Sequence, residues 1–325
     1  MELKTAFPRT RKPRTLEWAC AIHGGAGAIP LTTPEETVKR YREALAGILA
    51  GGIELLSDGA AAIEVVEALV TAFEDNELFN AGRGAVYTSD ARHELDAAIM
   101  DGLTGRSGSV AGVRRVRNPV RLARAVLDSH DHMFYAGEGA DRFAETRGLD
   151  LVENGYFDTA HRYRALCEAR GHGTVLLDHD QGYGTVGAVV RDRTGNLAAA
   201  TSTGGMTNKA PGRVGDTPLI GAGTYAANGL AAVSATGRGE AFMRHMVAYD
   251  LCARIRYCGT ALEDAAHDIV MNEMKAGDGG IIAVDHAGTI VMPFNSPGMY
   301  RAAADSSGDL IVAIWDSPEP TSGTR

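Results

Sequence analysis

The sequence predicts an α/β (α+β) protein in which two central sheets lie between helical layers, four layers in the order αββα. Three observations carry this. The second half of the 325-residue chain runs strand pair, helix pair, strand pair. Its apolar runs lack clean alternation, which marks strands buried on both faces. The first half is dense in helix signals, with short strand-like runs between them.

Taking the elements in order, "TTPEETVKRYREALAGILAGG" reads as a helix with Thr33 as cap, Pro34 at the first helical position and Glu36 closing a capping box. "SDGAAAIEVVEALVTAFEDN" reads as a second, with Asp58 as cap, and "NPVRLARAVLDS" as a third, where Asn118 and Pro119 repeat the cap-then-proline start. Strands are expected at "EWACAIHGG", "GAVYTSD" and "GSVAGVRRV". Residues 151–184 mix charge, glycine and aromatics without a period and read as a loose linker, a form often functional. "TVGAVVRDRTGNLAAATST" is two apolar runs about a turn at Thr194-Gly195-Asn196, and "GIIAVDHAGTIVMPFN" repeats the unit. Between them stand the helices "GEAFMRHMVAYDLCARI" and "TALEDAAHDIVMNEM", the latter with a Thr260/Glu263 capping box.

Composition sets limits. With 45% hydrophobic and 22% charged residues the chain buries a sizeable core, and a net charge of −9 argues against nucleic acid as partner. No stretch has the apolar length of a membrane span, and the basic tail "KTAFPRTRKPRTLE" lacks the apolar core of a secretion signal. A cytoplasmic protein is the expectation. Cys20, Cys167, Cys252 and Cys258 form no C-x-x-C pair, and buried free thiols are expected at Cys252 and Cys258.

"GHGTVLLDHDQGYGTVGAVV" contains Gly-Thr-Val twice, at Thr174 and Thr185. A threonine hydroxyl is a weak nucleophile that needs a base, and the residue's own α-amine serves if threonine is the first residue of a chain. That amine titrates near pH 7.7–8.0. An internal threonine reaches this state only when the preceding peptide bond is cut. Thr185 leads straight into the apolar strand and follows Gly184, which permits a strained backbone, so it is the better candidate; Thr174 reads as a linker residue.

"GTVGAVV", then "GNLAAATSTGGMTNKAPGRVGDTPLIGAGTYA" and "ATGRGE", with "IHGGAGAI", "LFNAGRGAV" and "HELDAAIMDG" before them, closely resemble the plant-type asparaginases, also called isoaspartyl aminopeptidases, among the N-terminal-nucleophile hydrolases. The likeness runs from about residue 20 to about 302. It implies one αββα domain that cuts itself between Gly184 and Thr185, giving a 1–184 and a 185–325 subunit that assemble as a dimer of αβ units. It implies hydrolysis of the asparagine side-chain amide or of β-linked isoaspartyl dipeptides through an ester on Thr185. Thr203 matches the threonine beside the nucleophile, and Asn80 a residue supporting its amine. Arg213 and Asp216 match the pair that holds the substrate's carboxylate and ammonium, Thr236 and Gly237 the oxyanion hole, and Gly239 the pocket wall. No catalytic cofactor is implied. A structural sodium ion is, held by backbone carbonyls of Phe73, Glu74, Asn76, Phe79, Ala81 and Arg83; Arg83 places a charge in that loop, which backbone ligation tolerates if the side chain points outward. Thr224 and Arg238 stand beside the pocket, where they could tune preference.

The charge spacing fits a zwitterionic head group: an arginine fork takes a carboxylate bidentately, and an aspartate three residues on takes the ammonium. His93, Glu94, Asp96 and Asp101 lack metal-site spacing and are expected to be structural. "GAGTYA" is a very weak dinucleotide motif, and His23 is expected in the core. The other readings are a glycosylasparaginase-like amidohydrolase, a more distant protein-cleaving threonine aspartase, and a non-catalytic glycine-rich protein binding a small molecule.

Overall fold

The computed structural model describes residues 16–27, 29–171 and 184–315. An eight-stranded sheet is built from β1 (Ala19–Gly27), β2 (Leu95–Asp101), β3 (Ser107–Val113), β4 (Phe134–Ala136), β5 (Val186–Arg191), β6 (Leu197–Thr203), β11 (Gly298–Asp305) and β12 (Leu310–Ala313). Its order is β12-β11-β1-β5-β6-β2-β3-β4. A four-stranded sheet has the order β10-β9-β8-β7, from β7 (Thr224–Ala226), β8 (Ala231–Gly237), β9 (Gly279–Asp285) and β10 (Ile290–Val291).

Helices α1 (Glu35–Ser57), α2 (Ala62–Glu74) and α3 (Pro119–Ser129) cover the outer face of the large sheet, and α6 (Gly239–His245), α7 (Val247–Ala253) and α8 (Leu262–His267) cover the small one. Side chains alternate across each strand. Cys20, Ile22, Val186 and Val190 therefore point into the core beneath α1 and α2, while Ala19, Ala21, Val189 and Ala199 point toward the small sheet. Val233, Ile281 and Ala283 face α6–α8, and Ala232, Ile282 and Val284 face the large sheet. Three apolar cores between four layers give the αββα order expected.

Several local expectations are corrected. Thr33 belongs to the preceding turn, where its hydroxyl donates to the Pro30 carbonyl at 2.6 Å, and Pro34 occupies the cap of α1. Asp58 closes α1 instead of opening α2. The α2 start is held by Asp192, whose carboxylate accepts the Ala62 N–H at 3.0 Å, and by Glu64 reaching back to the Ala61 N–H. At α3 the Pro119 start holds, but Asn118 turns to Asp75, and Glu74 takes the Val120 N–H at 2.9 Å. α8 starts after Ala261 without a side-chain cap. "GAVYTSD" forms no strand; its strand-like pairing is limited to an isolated bridge between Thr88 and Lys209, flanked by the Asn208 N–H donating to the Tyr87 carbonyl at 2.9 Å. Cys252 is buried as expected, but Cys258 ends a π-helical turn (Arg254–Cys258) at the surface.

The described part of the expected linker carries regular structure. A short 3-10 turn spans Asn154–Phe157, and α5 (Ala160–Gly171) follows α4 (Gly137–Thr146). α5 buries only a short stripe, Ala165, Leu166 and Ala169, beside buried Arg162, whose Nε donates to the Gly84 carbonyl at 2.8 Å. Thr174 lies outside the described residues. Among those described, no helix is long and apolar enough to cross a membrane.

Gly108 on β3 is where α3 comes closest, since an added Cβ would fall 1.9 Å from the Ala123 carbonyl and 2.5 Å from the Leu127 nitrogen. Gly108→Ala is expected to lower unfolding stability by about 1–3 kcal/mol, the usual range for overpacking, measured by urea titration; an unchanged midpoint would contradict this packing.

Candidate active site

Thr185 stands one residue ahead of β5, the central strand beside β1 and β6, at the end where the space between the sheets opens. It is buried, and its Oγ1 donates to Thr203 Oγ1 at 3.1 Å. Thr203 ends β6, and its hydroxyl also accepts the Gly205 N–H at 2.9 Å. A hydroxyl that already accepts from an N–H is fixed in direction and aims its lone pairs at its neighbour. Asn80 secures this turn: Nδ2 donates to the Gly205 carbonyl at 2.8 Å, its own carbonyl accepts the Gly204 N–H, and Oδ1 accepts the Val86 N–H at 3.0 Å. Asn80 thus reaches Thr185 through the turn holding Thr203, one step removed from the direct support of the amine that the resemblance implies.

Gly184 is packed tightly. Gly25, at φ +118°, sits where an added Cβ would fall 2.4 Å from the Gly184 nitrogen. A Cβ on Gly184 would itself meet Thr236 Oγ1 at 2.8 Å. Thr236 lies near the end of β8, and its hydroxyl accepts the Ala26 N–H at 3.2 Å. Gly237, at φ +140°, leaves no room for a side chain, since a Cβ would lie 2.0 Å from the Asp278 carbonyl. The Thr236 hydroxyl and the Gly237 main chain are therefore held rigidly beside the Gly184–Thr185 bond.

Ala26, Gly184, Thr185, Thr203, Arg213, Asp216, Gly237 and Gly239 line one narrow pocket. The two charges of "GRVGD" do not pair with each other there. Arg213 is held by Glu240, whose Oε1 accepts from Nε at 3.0 Å and from Nη2 at 2.8 Å. Burial opposes the charge on Glu240, but backbone N–H donation at the start of α6 and Arg213 outweigh it and hold the carboxyl below its usual range. Glu240 was not anticipated; its place in the first turn of α6, behind "TGRG", is the only sequence signal. Asp216 is fully buried, with Oδ2 lacking a hydrogen-bond partner. Gly239 and Gly223 press on its carboxylate, each placing an added Cβ 2.8 Å from one of its oxygens. Burial pushes this carboxyl up to about 7, against a downward pull from its own N–H and Arg213. A buried carboxyl with one unsatisfied oxygen beside a pocket is a costly arrangement for the protein alone.

Behind this wall, Lys209 donates to the Glu94 carbonyl at 2.9 Å, Glu94 accepts the Gly212 N–H at 2.7 Å and pairs with Arg114, and Asp96 accepts the Gly112 N–H. His93 bonds Val86 and Asp158, and Asp101 holds its own turn. These side chains are taken up in hydrogen bonds and ion pairs behind the pocket wall, and no group of three His, Cys, Asp or Glu among the described residues could hold a metal. Thr224 lies between the sheets, its hydroxyl donating to Thr201, and the Arg238 N–H donates to the Asp278 carbonyl at 2.7 Å.

In the loop from Phe73 to Arg83, main-chain carbonyls crowd inward. An added Cβ on Gly82 would fall 2.3 Å from the Glu74 oxygen, and one on Gly84 2.1 Å from the Phe79 oxygen. Neutral carbonyl donors of this kind suit a hard cation. The Arg83 guanidinium turns outward, donating to the Tyr156 and Asp158 carbonyls and lying over the Tyr156 ring.

An αββα sandwich with a buried threonine at the head of a central strand is the architecture of an N-terminal-nucleophile hydrolase. A family model described as Asparaginase matches residues 16–314, and the chain belongs to that family. It is 52% identical over 292 residues to an isoaspartyl peptidase of Salmonella typhimurium, covering 87% of this chain and 93% of that one. It is 51% identical over 317 residues to an isoaspartyl peptidase of Escherichia coli, covering 94% and 98%. A probable isoaspartyl peptidase/L-asparaginase 2 of Arabidopsis thaliana is 40% identical over 324 residues, with 92% and 99% covered.

Because Asp216 holds its proton more tightly folded than unfolded, it subtracts stability as pH climbs from the ordinary carboxyl value toward 7. Asp216→Asn is expected to melt higher than the wild type at about pH 8 and to converge with it near pH 4, while losing the head-group site. Calorimetry at the two pH values checks this; a lower melting temperature at the higher pH would contradict it.

Proposed function

We propose that the chain cuts itself between Gly184 and Thr185, and that the freed Thr185 hydrolyses the β-linked carbonyl of isoaspartyl dipeptides and of L-asparagine. The observation that carries this is the opening of the Thr185 hydroxyl and the partnerless Asp216 carboxylate onto one pocket. The names of the relatives support the substrate class. The glycosylasparaginase-like and non-catalytic readings are not favoured by them.

In processing, Thr185 Oγ1 attacks the Gly184 carbonyl, the C–N bond breaks, and water hydrolyses the resulting ester, leaving a free α-amine on Thr185. In turnover that amine takes the Oγ1 proton, and Thr203 orients the hydroxyl by accepting from it or donating to it. The Arg213 fork binds the substrate's α-carboxylate, and Asp216 binds its α-ammonium in place of the missing partner. Charging that pair also draws the Asp216 carboxyl back toward ionisation. Oγ1 adds to the β-carbonyl, the Thr236 hydroxyl and Gly237 N–H hold the oxyanion, and the amine leaves with a proton. Water then releases aspartate from Thr185. Losing one oxyanion donor commonly costs about 10²–10³ in rate. Gly239 has no room for a side chain against Asp216 and keeps the head-group pocket open. The main-chain carbonyls of the Phe73–Arg83 loop would hold a sodium ion, which would stiffen the segment carrying Asn80. Processed αβ units associate as a dimer, a reading that rests on the family likeness.

Purified wild type is expected to release aspartate from a β-aspartyl dipeptide and from asparagine, and Thr185→Ala to release none. Aspartate release by the Thr185→Ala protein at the wild-type rate would sink this mechanism.

A further inference from the structure

Two residues inward from the pocket, the space between the sheets holds a polar row that apolar packing does not explain. His23 on β1, Thr201 on β6, Thr224 on β7 and Ser234 on β8 are all fully buried. They are hydrogen-bonded in series. His23 Nε2 lies 2.8 Å from Ser234 Oγ, Ser234 Oγ lies 2.8 Å from Thr201 Oγ1, and Thr224 Oγ1 donates to Thr201 Oγ1 at 2.7 Å. The Thr217 carbonyl, next to Asp216, is 3.1 Å from the same Thr224 hydroxyl.

Strand register places this row directly beneath the site. His23 pairs with Gly187 and Gly187 with Thr201 in the large sheet, and Thr224 pairs with Ser234 in the small one. β5 passes over the row at Gly187, where an added Cβ would fall 2.0 Å from Ser234 Oγ and 2.5 Å from His23 Nε2. Two positions outward on the same strands stand Thr185, Thr203 and Thr236. The period of two keeps them on the same face. Thr203 therefore stands over Thr201 and Thr236 over Ser234, while Thr185 stands over Gly187, which packs on Ser234 and His23.

Each hydroxyl carries one proton. The Thr224 proton has two acceptors in reach, Thr201 Oγ1 and the Thr217 carbonyl, and the Thr201–Ser234 contact can run in either direction. His23 Nδ1 is buried without a hydrogen-bond partner. Burial pushes the imidazole down to about 3, opposed by the main chain of Thr185, so the ring stays neutral over the working pH range.

We propose that the row Thr224–Thr201–Ser234–His23 is a positioning device for the nucleophile, holding β5 at Gly187, one pleat below Thr185, so that Thr185 stays in place once its bond to Gly184 is cut. A cleaved terminus loses one of its two covalent tethers, and chain termini are poorly ordered unless tied down. The row ties this one to the floor between the sheets through Gly187, which packs on Ser234 and His23. This inference rests on the proposed self-processing hydrolase.

Two variants separate positioning from packing. Thr201→Val removes the hydroxyl at nearly constant shape, and Thr201→Ser keeps it. Steady-state kinetics on a β-aspartyl dipeptide are expected to show kcat down about tenfold or more for Thr201→Val, with KM within about twofold of wild type and Thr201→Ser back within about threefold. A folded Thr201→Val chain that stays uncut counts with the slow outcome, because processing needs the same Thr185 geometry. Wild-type kcat in Thr201→Val, or equal loss in both variants, overturns the proposal. Should Thr201→Val fail to fold by its melting curve, Thr224→Val and Thr224→Ser are judged by the same criteria. A wild type that hydrolyses no substrate would instead overturn the functional reading, so the two failures are distinct.

Discussion

The close approach of two sheets over small side chains is the constraint on which the rest of this molecule depends. Ala19, Ala21, Ala199, Ala226, Ala232 and Ala303 line the space between them, so β1, β5 and β6 lie near β8 and β9. Larger residues would separate the layers. At this separation a serine on one sheet reaches a histidine and a threonine on the other, and Gly187 leaves them room. One pleat further out the apolar filling stops, and the same short distance brings Thr236 from the small sheet against Gly184 and Thr185 from the large one. The pocket is the open end of the inter-sheet core.

The charged wall shows a different balance. Arg213 is held at Nε and Nη2 by Glu240, whereas Asp216 is buried with its Oδ2 lacking a hydrogen-bond partner. Folding alone does not favour that arrangement, since an unsatisfied buried carboxyl detracts from stability. On the proposed function, the arriving ammonium offsets this cost, while the arginine is pre-aimed by its salt bridge, and the Lys209–Glu94 network braces the loop between them.

What was legible in the sequence follows from this physics. The paired strands β5–β6 and β9–β10 carry branched apolar runs about clear turns, and their helices carry long apolar faces, so both announced themselves. β2, β8 and β11 contain "DAAIM", "AAVSATG" and "MYRAAAD". Alanine is depleted in strands and ranks first in helices, so the residues that let the sheets approach also hid the strands. The caps expected at Asp58 and Asn118 misled because tertiary partners, Asp192 and Glu74, satisfy those helix ends instead. The threonines, Arg213 and Asp216 stood in continuous motifs. Glu240 and the row from His23 to Thr224 owe their significance to cross-strand register and loop closure, which no local pattern encodes.

The central claim is that Thr185 becomes a chain terminus. Intact mass of the purified wild-type protein, followed over days at neutral pH, tests it most directly. The account predicts two fragments, residues 1–184 and residues 185–325, the second beginning with threonine. A single stable chain, or a cut at any other bond, would contradict it.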